Sequence, residues 1–161
     1  MKRLAIVGVV IALVGLLLAV AYWPLTSVSG TQLRADESGG GYTGYAVGAT
    51  ATIHAKVDNV SYVSFLGPST TVLWIDSGDP NNPVPVYVEG DARPVVTPGE
   101  TVYMPATLEQ TILGIEYWQV SSPSDIHAAW PIDYAFYGAV GLGVVLVVAD
   151  ALRGRQTAPE G

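Results

Sequence analysis

Asp76, Asp79, Asn81 and Asn82 place four oxygen-bearing side chains within one short stretch of chain. Carboxylate and amide oxygens this close could hold a hard divalent cation such as Ca²⁺, which takes a shell of oxygen ligands. The spacing is not that of an EF-hand, because the Asp-x-Asp-x-Asp-Gly series and its closing glutamate are missing. A polar hairpin loop is the expected use, and Asp76, Asp79 and Asn81 are the residues a cation would take. His54 and His127 are the two imidazoles. Two isolated histidines make no metal site without further ligands. His54 is expected on the solvent face of a strand, and His127 in a connection near a membrane. The chain has 0 cysteines, which excludes disulfides, thiolate catalysis and cysteine metal sites.

Trp74, Tyr87, Tyr103, Tyr117 and Trp118 are spread over apolar stretches. Packing in a core and at sheet edges is their expected use, with ligand stacking as the alternative. Asn59-Val60-Ser61 is an N-x-Ser sequon. The sequence contains no Gly-x-Ser-x-Gly, phosphate-binding loop or dinucleotide fingerprint. A non-enzymatic protein with no bound cofactor is expected.

The elements that must position these residues fall into three blocks. Residues 4–23 form an apolar run with no charge, and residues 134–148 form a second, followed by Asp150 and Leu152. A spanning helix needs roughly 20 apolar residues, so two transmembrane helices are expected. Lys2, Arg3, Arg153 and Arg155 flank them at the chain ends. Residues 24–133 hold three basic residues (Arg34, Lys56, Arg93) against twelve acidic ones, a balance of −9. Positive flanks stay on the cytoplasmic side. Both termini are therefore expected inside and the middle domain outside, in a two-helix cell-membrane protein. The acid surplus also fits a high-salt habitat. A segment at −9 repels phosphate backbones, so no nucleic-acid partner is expected.

The expected layout is a transmembrane helix (1–23), a flexible linker (24–44), a β domain (45–121), a membrane-proximal connector (122–133), a second transmembrane helix (134–152) and a cytoplasmic tail (153–161). Ala19-Val20-Ala21 also fits a signal-peptidase site, but the long apolar run, Trp23 and Pro24 favour an uncleaved anchor. Gly8, Ala12, Gly15 and Ala19 recur at helical spacing, as do Ala135, Ala139 and Gly143. Small residues let helices approach closely in lipid. The two helices are expected to pack on each other, with a stripe against another subunit as the alternative. Lipid and another membrane protein, or a second copy, are the expected partners.

The middle domain alternates with period two. Ala49, Ala51, Ile53, Ala55 and Val57 share one face of a long strand, and Gly48 suggests a bend at its start. Residues 71–76, 84–89, 101–108 and 112–120 read as four more strands, with Pro85 arguing for an edge. The turns between them are Asp76-Ser77-Gly78 and Pro98-Gly99. The long first strand, the Leu73-Trp74-Ile75-Asp76-Ser77-Gly78 turn and the Pro98-Gly99-Glu100-Thr101-Val102 entry to a fourth strand resemble OB-fold domains. That resemblance implies an all-β middle domain, a five-stranded OB-like Greek-key β-barrel, over about residues 45–120. A small β domain between two membrane helices also resembles the beside-a-membrane (GIDE-type) family. The cytoplasmic RING of its eukaryotic members has no counterpart here, so ligase activity is not implied.

The periplasmic haem chaperones resemble this layout as well. They attach haem through a histidine with a tyrosine four residues on, whereas here Asp58 follows His54 and Pro131 follows His127. Haem carriage is therefore not carried over. The expected function is a displayed barrel for partner binding or assembly. A ligand or cofactor carrier, haem-handling or cation-binding, is the alternative.

Overall fold

The computed structural model describes residues 2–21, 27–64 and 69–156. The expectations for Trp23, Pro24 and the tail beyond 156 lie outside them. The chain divides into two compact units, Thr26–Trp130 and the two terminal segments.

In the first unit five strands close on one another. They are β3 (Thr50–Val63), β4 (Thr70–Ile75), β5 (Val84–Glu89), β6 (Thr101–Gln110) and β7 (Glu116–Val120). The order β3-β4-β5-β7-β6 returns to β3 through a β3–β6 pairing. β5 and β7 run parallel, and the other pairs of this ring are antiparallel. This is an OB-like Greek-key barrel.

β3 serves both sides of the closure. Residues 50–56 pair with β6 and residues 57–63 with β4, and the register slips between Val57 and Asn59. One extra residue there bends the strand and re-aims it. Gly99, at φ +93°, turns the chain toward β6 and donates its N–H to Val57 O at 2.7 Å. Gly48, at φ +86°, starts the first bend with its N–H on Leu108 O at 2.7 Å.

Alternation sends Ile53, Ala55, Val57, Leu73, Ile75, Val84, Val86, Val88, Met104, Leu108, Trp118 and Val120 into one core. Tyr103 and Trp118, expected to pack, are fully buried. Thr71, fully buried, donates Oγ1–H to Gly90 O at 2.8 Å and accepts Ala92 N–H at 2.9 Å. Both orphan backbone groups of that corner are thereby satisfied.

Three expectations differ from this arrangement. Residues 24–44, read as a flexible linker, contain α2 (Gly30–Asp36) and the small hairpin β1 (Glu37–Ser38) and β2 (Gly41–Tyr42). Ser29 and Gln32 form a reciprocal capping box, with Gln32 N–H on Ser29 Oγ at 3.2 Å and Ser29 N–H on Gln32 Oε1 at 2.8 Å. Leu33 and Tyr42 then enter the core. The fifth strand begins at Glu116, because residues 111–114 form a turn closed by Gly114 at φ +80°. Pro85 lies inside the ring. The β5–β7 ladder runs from Val86 to Val88, so Pro85 stands beyond its end.

The expected connector 122–133 is also ordered. It carries the short helix η1 (Pro123–Asp125) and β8 (His127–Ala128), which pairs with Val102 and Tyr103 of β6.

The second unit holds α1 (Lys2–Ala21) and most of α3 (Ala129–Gln156). Among the described residues one helix, α3, is long and apolar enough to cross a membrane, over Ala129–Leu152. The apolar part of α1, Leu4–Leu17, is shorter. The expectation of two equivalent spans is thus reduced to one span by length and composition.

Candidate functional site

The outward face of the barrel follows from register. Thr70 faces Glu89 and Val72 faces Tyr87 across β4–β5. Tyr87 in turn faces Gln119 across β5–β7, and Tyr117 faces Glu109 across β6–β7. Period-two alternation turns these residues away from the core while their neighbours fill it. Thr70, Tyr87, Glu89, Tyr117 and Gln119 line a cleft of about 590 Å³ with Thr111 and Ile115 from the β6–β7 turn.

Two tyrosines give this cleft its shape. The rings of Tyr87 and Tyr117 meet edge to face, with centroids 5.3 Å apart at 78°. Gln119 Nε2 donates to Glu89 Oε1, which fixes one carboxylate on the cleft wall. A smaller hollow of about 150 Å³ shares Tyr87, Ile115 and Tyr117 and adds Glu37, Tyr42 and Glu116. There Glu116 Oε2 accepts Tyr42 N–H at 2.7 Å, docking the β1–β2 hairpin onto β7. Burial pushes the Tyr42 hydroxyl up to about 12, and the nearby Glu37 charge adds to the rise.

The β6–β7 turn beside the cleft is tightly held. Thr111 N–H donates to Ile115 O at 2.8 Å, Gly114 N–H to Thr111 O at 3.0 Å, and Ile115 N–H to Thr111 Oγ1 at 3.1 Å. At its tip Ile112 is 103% and Leu113 81% exposed. A turn with its own hydrogen bonds thus presents two aliphatic side chains wholly to solvent.

All three cations of the barrel unit are held by acids close in sequence. Arg34 pairs with Glu37, Lys56 with Asp58 at 3.8 Å, and Arg93 with Asp91 at 2.7 Å. The Arg93 guanidinium also lies 3.9 Å over the Tyr62 ring. Its hydrogen bond holds the Asp91 carboxyl below the usual carboxylate range. Glu89, Glu109 and Glu116 are met by none of these pairings.

Asp76, Asp79, Asn81 and Asn82 sit in the β4–β5 loop, away from the cleft. Asp76 Oδ1 accepts Gly78 N–H at 2.7 Å, and Asp79 Oδ1 accepts Asn81 N–H at 3.0 Å. Ser77 Oγ–H donates to Asn82 O at 2.8 Å. These oxygens brace the turn locally. Among the described residues no three His, Asp or Glu side chains gather as a cation set. His54 stacks on Tyr103 with centroids 4.2 Å apart, and His127 pairs in register with the same tyrosine. Asn59 is exposed on β3 and turns its Oδ1 to Val60 N–H.

In the helical unit Gly8, Ala12 and Gly143 meet. A Cβ on Gly143 would lie 2.6 Å from Gly8 O and 2.7 Å from the Ala12 Cβ. A Cβ on Gly15 would lie 3.0 Å from the Ala139 Cβ. Ala135 is exposed, and the Ala19 side chain lies outside the described residues.

Tyr87 and Tyr117 were visible in the sequence as aromatics. Glu89, Gln119, Thr70 and Thr111 were not singled out, nor was the Ile112–Leu113 tip. The signal was the alternation itself, which places residues 85, 87 and 89 on the face opposite Val84, Val86 and Val88.

No family model and no curated protein matches the chain. Among solved structures it is similar to the second OB-fold domain of replication protein A from Methanococcus maripaludis, at 16% identity and a TM-score of 0.36. That likeness covers 51% of this chain and 85% of that one. It bears on fold alone. The expectation of no nucleic-acid partner, drawn from net charge, conflicts with this neighbour and is withdrawn. Net charge averages the whole segment, whereas recognition is decided on one face.

Proposed function

We propose that this chain is a membrane-anchored, non-catalytic protein that displays its barrel outside the cytoplasm and binds a partner there for assembly or scaffolding. The reading rests on one observation above the others, the rigid Ile112–Leu113 tip beside the tyrosine cleft. The five barrel strands pair in a ring and leave little free strand edge, so recognition falls mainly to side chains on the surface. Aromatic side chains such as tyrosine are enriched among the groups that carry binding energy at interfaces. The apolar span of α3 and the basic Arg153 and Arg155 beyond it support the anchoring and its orientation. The partner is another membrane protein or a second copy of the chain.

Site-specific photocrosslinking tests this in native membranes. A photoreactive residue at Leu113 is expected to give a discrete adduct, and one at Asp79 on the far loop is not. Equal labelling from both positions, or none from Leu113, refutes the reading.

A further inference from the structure

We infer that the tyrosine cleft takes a lysine- or arginine-bearing extended segment of the partner. This deepens the proposed function and rests on the cleft being the docking face. Three observations on the same surface converge.

The first is charge. Each cation of the barrel unit is already engaged by an acid within three positions of it in sequence. None of these pairings involves Glu89 on the main cleft or Glu109 beside it. The whole segment stands at −9, and a field of one sign raises the local concentration and on-rate of an opposite charge.

The second is ring geometry. Tyr87 and Tyr117 stand at 78° to one another, the edge of one against the face of the other, and both rings line the cleft. The negative π face of a tyrosine attracts an ammonium or guanidinium. Glu89 stands on the same wall, positioned by the Gln119 amide. A phenolic face with a carboxylate beside it suits a cation better than an anion.

The third is the apolar tip. Ile112 and Leu113 reach beyond the cleft rim on a turn fixed by its own hydrogen bonds. They supply contact for an aliphatic neighbour of the cation. An extended segment that carries basic and apolar residues two positions apart presents both on one face and meets both features at once.

The test uses the full chain in zwitterionic phosphatidylcholine nanodiscs and a fluorescent peptide in which lysine and valine alternate at every second position, with serine between them. Anisotropy is expected to show saturable binding that weakens as salt rises. Replacing every peptide lysine with glutamine should abolish it. Glu89→Gln should weaken binding about fivefold, and Tyr87→Ala or Tyr117→Ala about two- to fivefold. Asp79→Asn removes the same charge from the far loop and should leave binding unchanged.

If the lysine and glutamine peptides bind alike and both are lost in Tyr87→Ala, the cleft docks partners but the charge inference is wrong. If the lysine peptide binds equally to wild type, Glu89→Gln and Tyr87→Ala, the cleft is not the docking face. A single-stranded oligothymidine that binds in place of the peptide and is released by Tyr87→Ala overturns the cationic partner outright, as does no binding of the lysine peptide.

Discussion

Leu33→Ala asks whether α2 belongs to the barrel. Leu33 is 0% exposed and packs in the same core as Ile53, Val86 and Trp118. Its helix rests on β3 and β5. At its start Gly30 is pressed so closely on Asp76 O that a Cβ would collide with it. The site has little room to collapse, because strands surround it on the core side. Removing a fully buried leucine side chain into such a site costs about 3 kcal/mol. With a urea slope of roughly 1.5 kcal/mol per M for a domain of this size, the unfolding midpoint should fall by about 2 M. Near-UV circular dichroism of the full chain in mild detergent reads the barrel through buried Trp118, which Tyr42 and Tyr45 meet edge-on at 5.7 and 5.0 Å. Thr31→Ala, on the exposed side of the same helix, is the control. A loss below about 0.5 kcal/mol for Leu33→Ala, the range of ordinary surface changes, would mean that the segment is the free tether its composition suggested.

Three further experiments probe other parts of the chain. Thr71→Val keeps the shape but strands Gly90 O and Ala92 N–H in a buried corner, and should cost about 2 kcal/mol by the same urea assay. For the helical unit, cysteines at Gly15 and Ala139 should form a disulfide on mild oxidation, because their β-carbons would lie close enough to need only a small shift. Adding Gly143→Val, which forces Gly8 and Ala12 away, should suppress that bond on a non-reducing gel. Tyr42 carries a pH signature: its folded value of about 12 lies above the ordinary 10.0. The folded state therefore holds the phenolic proton longer than the unfolded chain does. This contribution is intact below about pH 10 and is lost as pH rises toward 12, with a slope of up to about 1.4 kcal/mol per pH unit. Tyr42→Phe should flatten that part of the stability curve relative to wild type, and an unchanged slope would place the hydroxyl in water.

Much of the barrel was legible because a strand's period is a local property. Ile53, Ala55 and Val57 alternate in the sequence and are buried together in the structure. The helix α2 was hidden for the opposite reason. Seven residues with one apolar anchor show no periodicity, and the helix gains its stability from β3 and β5, which lie far along the chain. Its one local mark was Ser29 with Gln32 three residues on, ahead of Leu33. Composition masks that mark, since glycines and small polar residues crowd the same stretch. Ile112 and Leu113 misled in the other direction. Aliphatic residues next to a strand invite its extension, but Gly114 at φ +80° closes a turn instead and throws both outward.

The cleft needed more than local reading. Its residues come from β4, β5, β7 and the turn before β7, and the parallel β5–β7 pairing alone sets Tyr87 beside Gln119 and brings Tyr117 to it. No short-range pattern encodes that pairing, because it depends on the crossover that lets β6 reach back to β3. The charge of the same face has a similar origin. Arg34, Lys56 and Arg93 each meet an acid two or three residues away, so local pairing consumes every base of the unit. What the topology then assembles from distant strands is carboxylates without counter-charge around two tyrosines. A net value of −9 describes a repulsive surface only on average. On this face it becomes a specific arrangement, with Glu89 held in place and an aliphatic tip beside it, and that arrangement selects by shape as well as by sign.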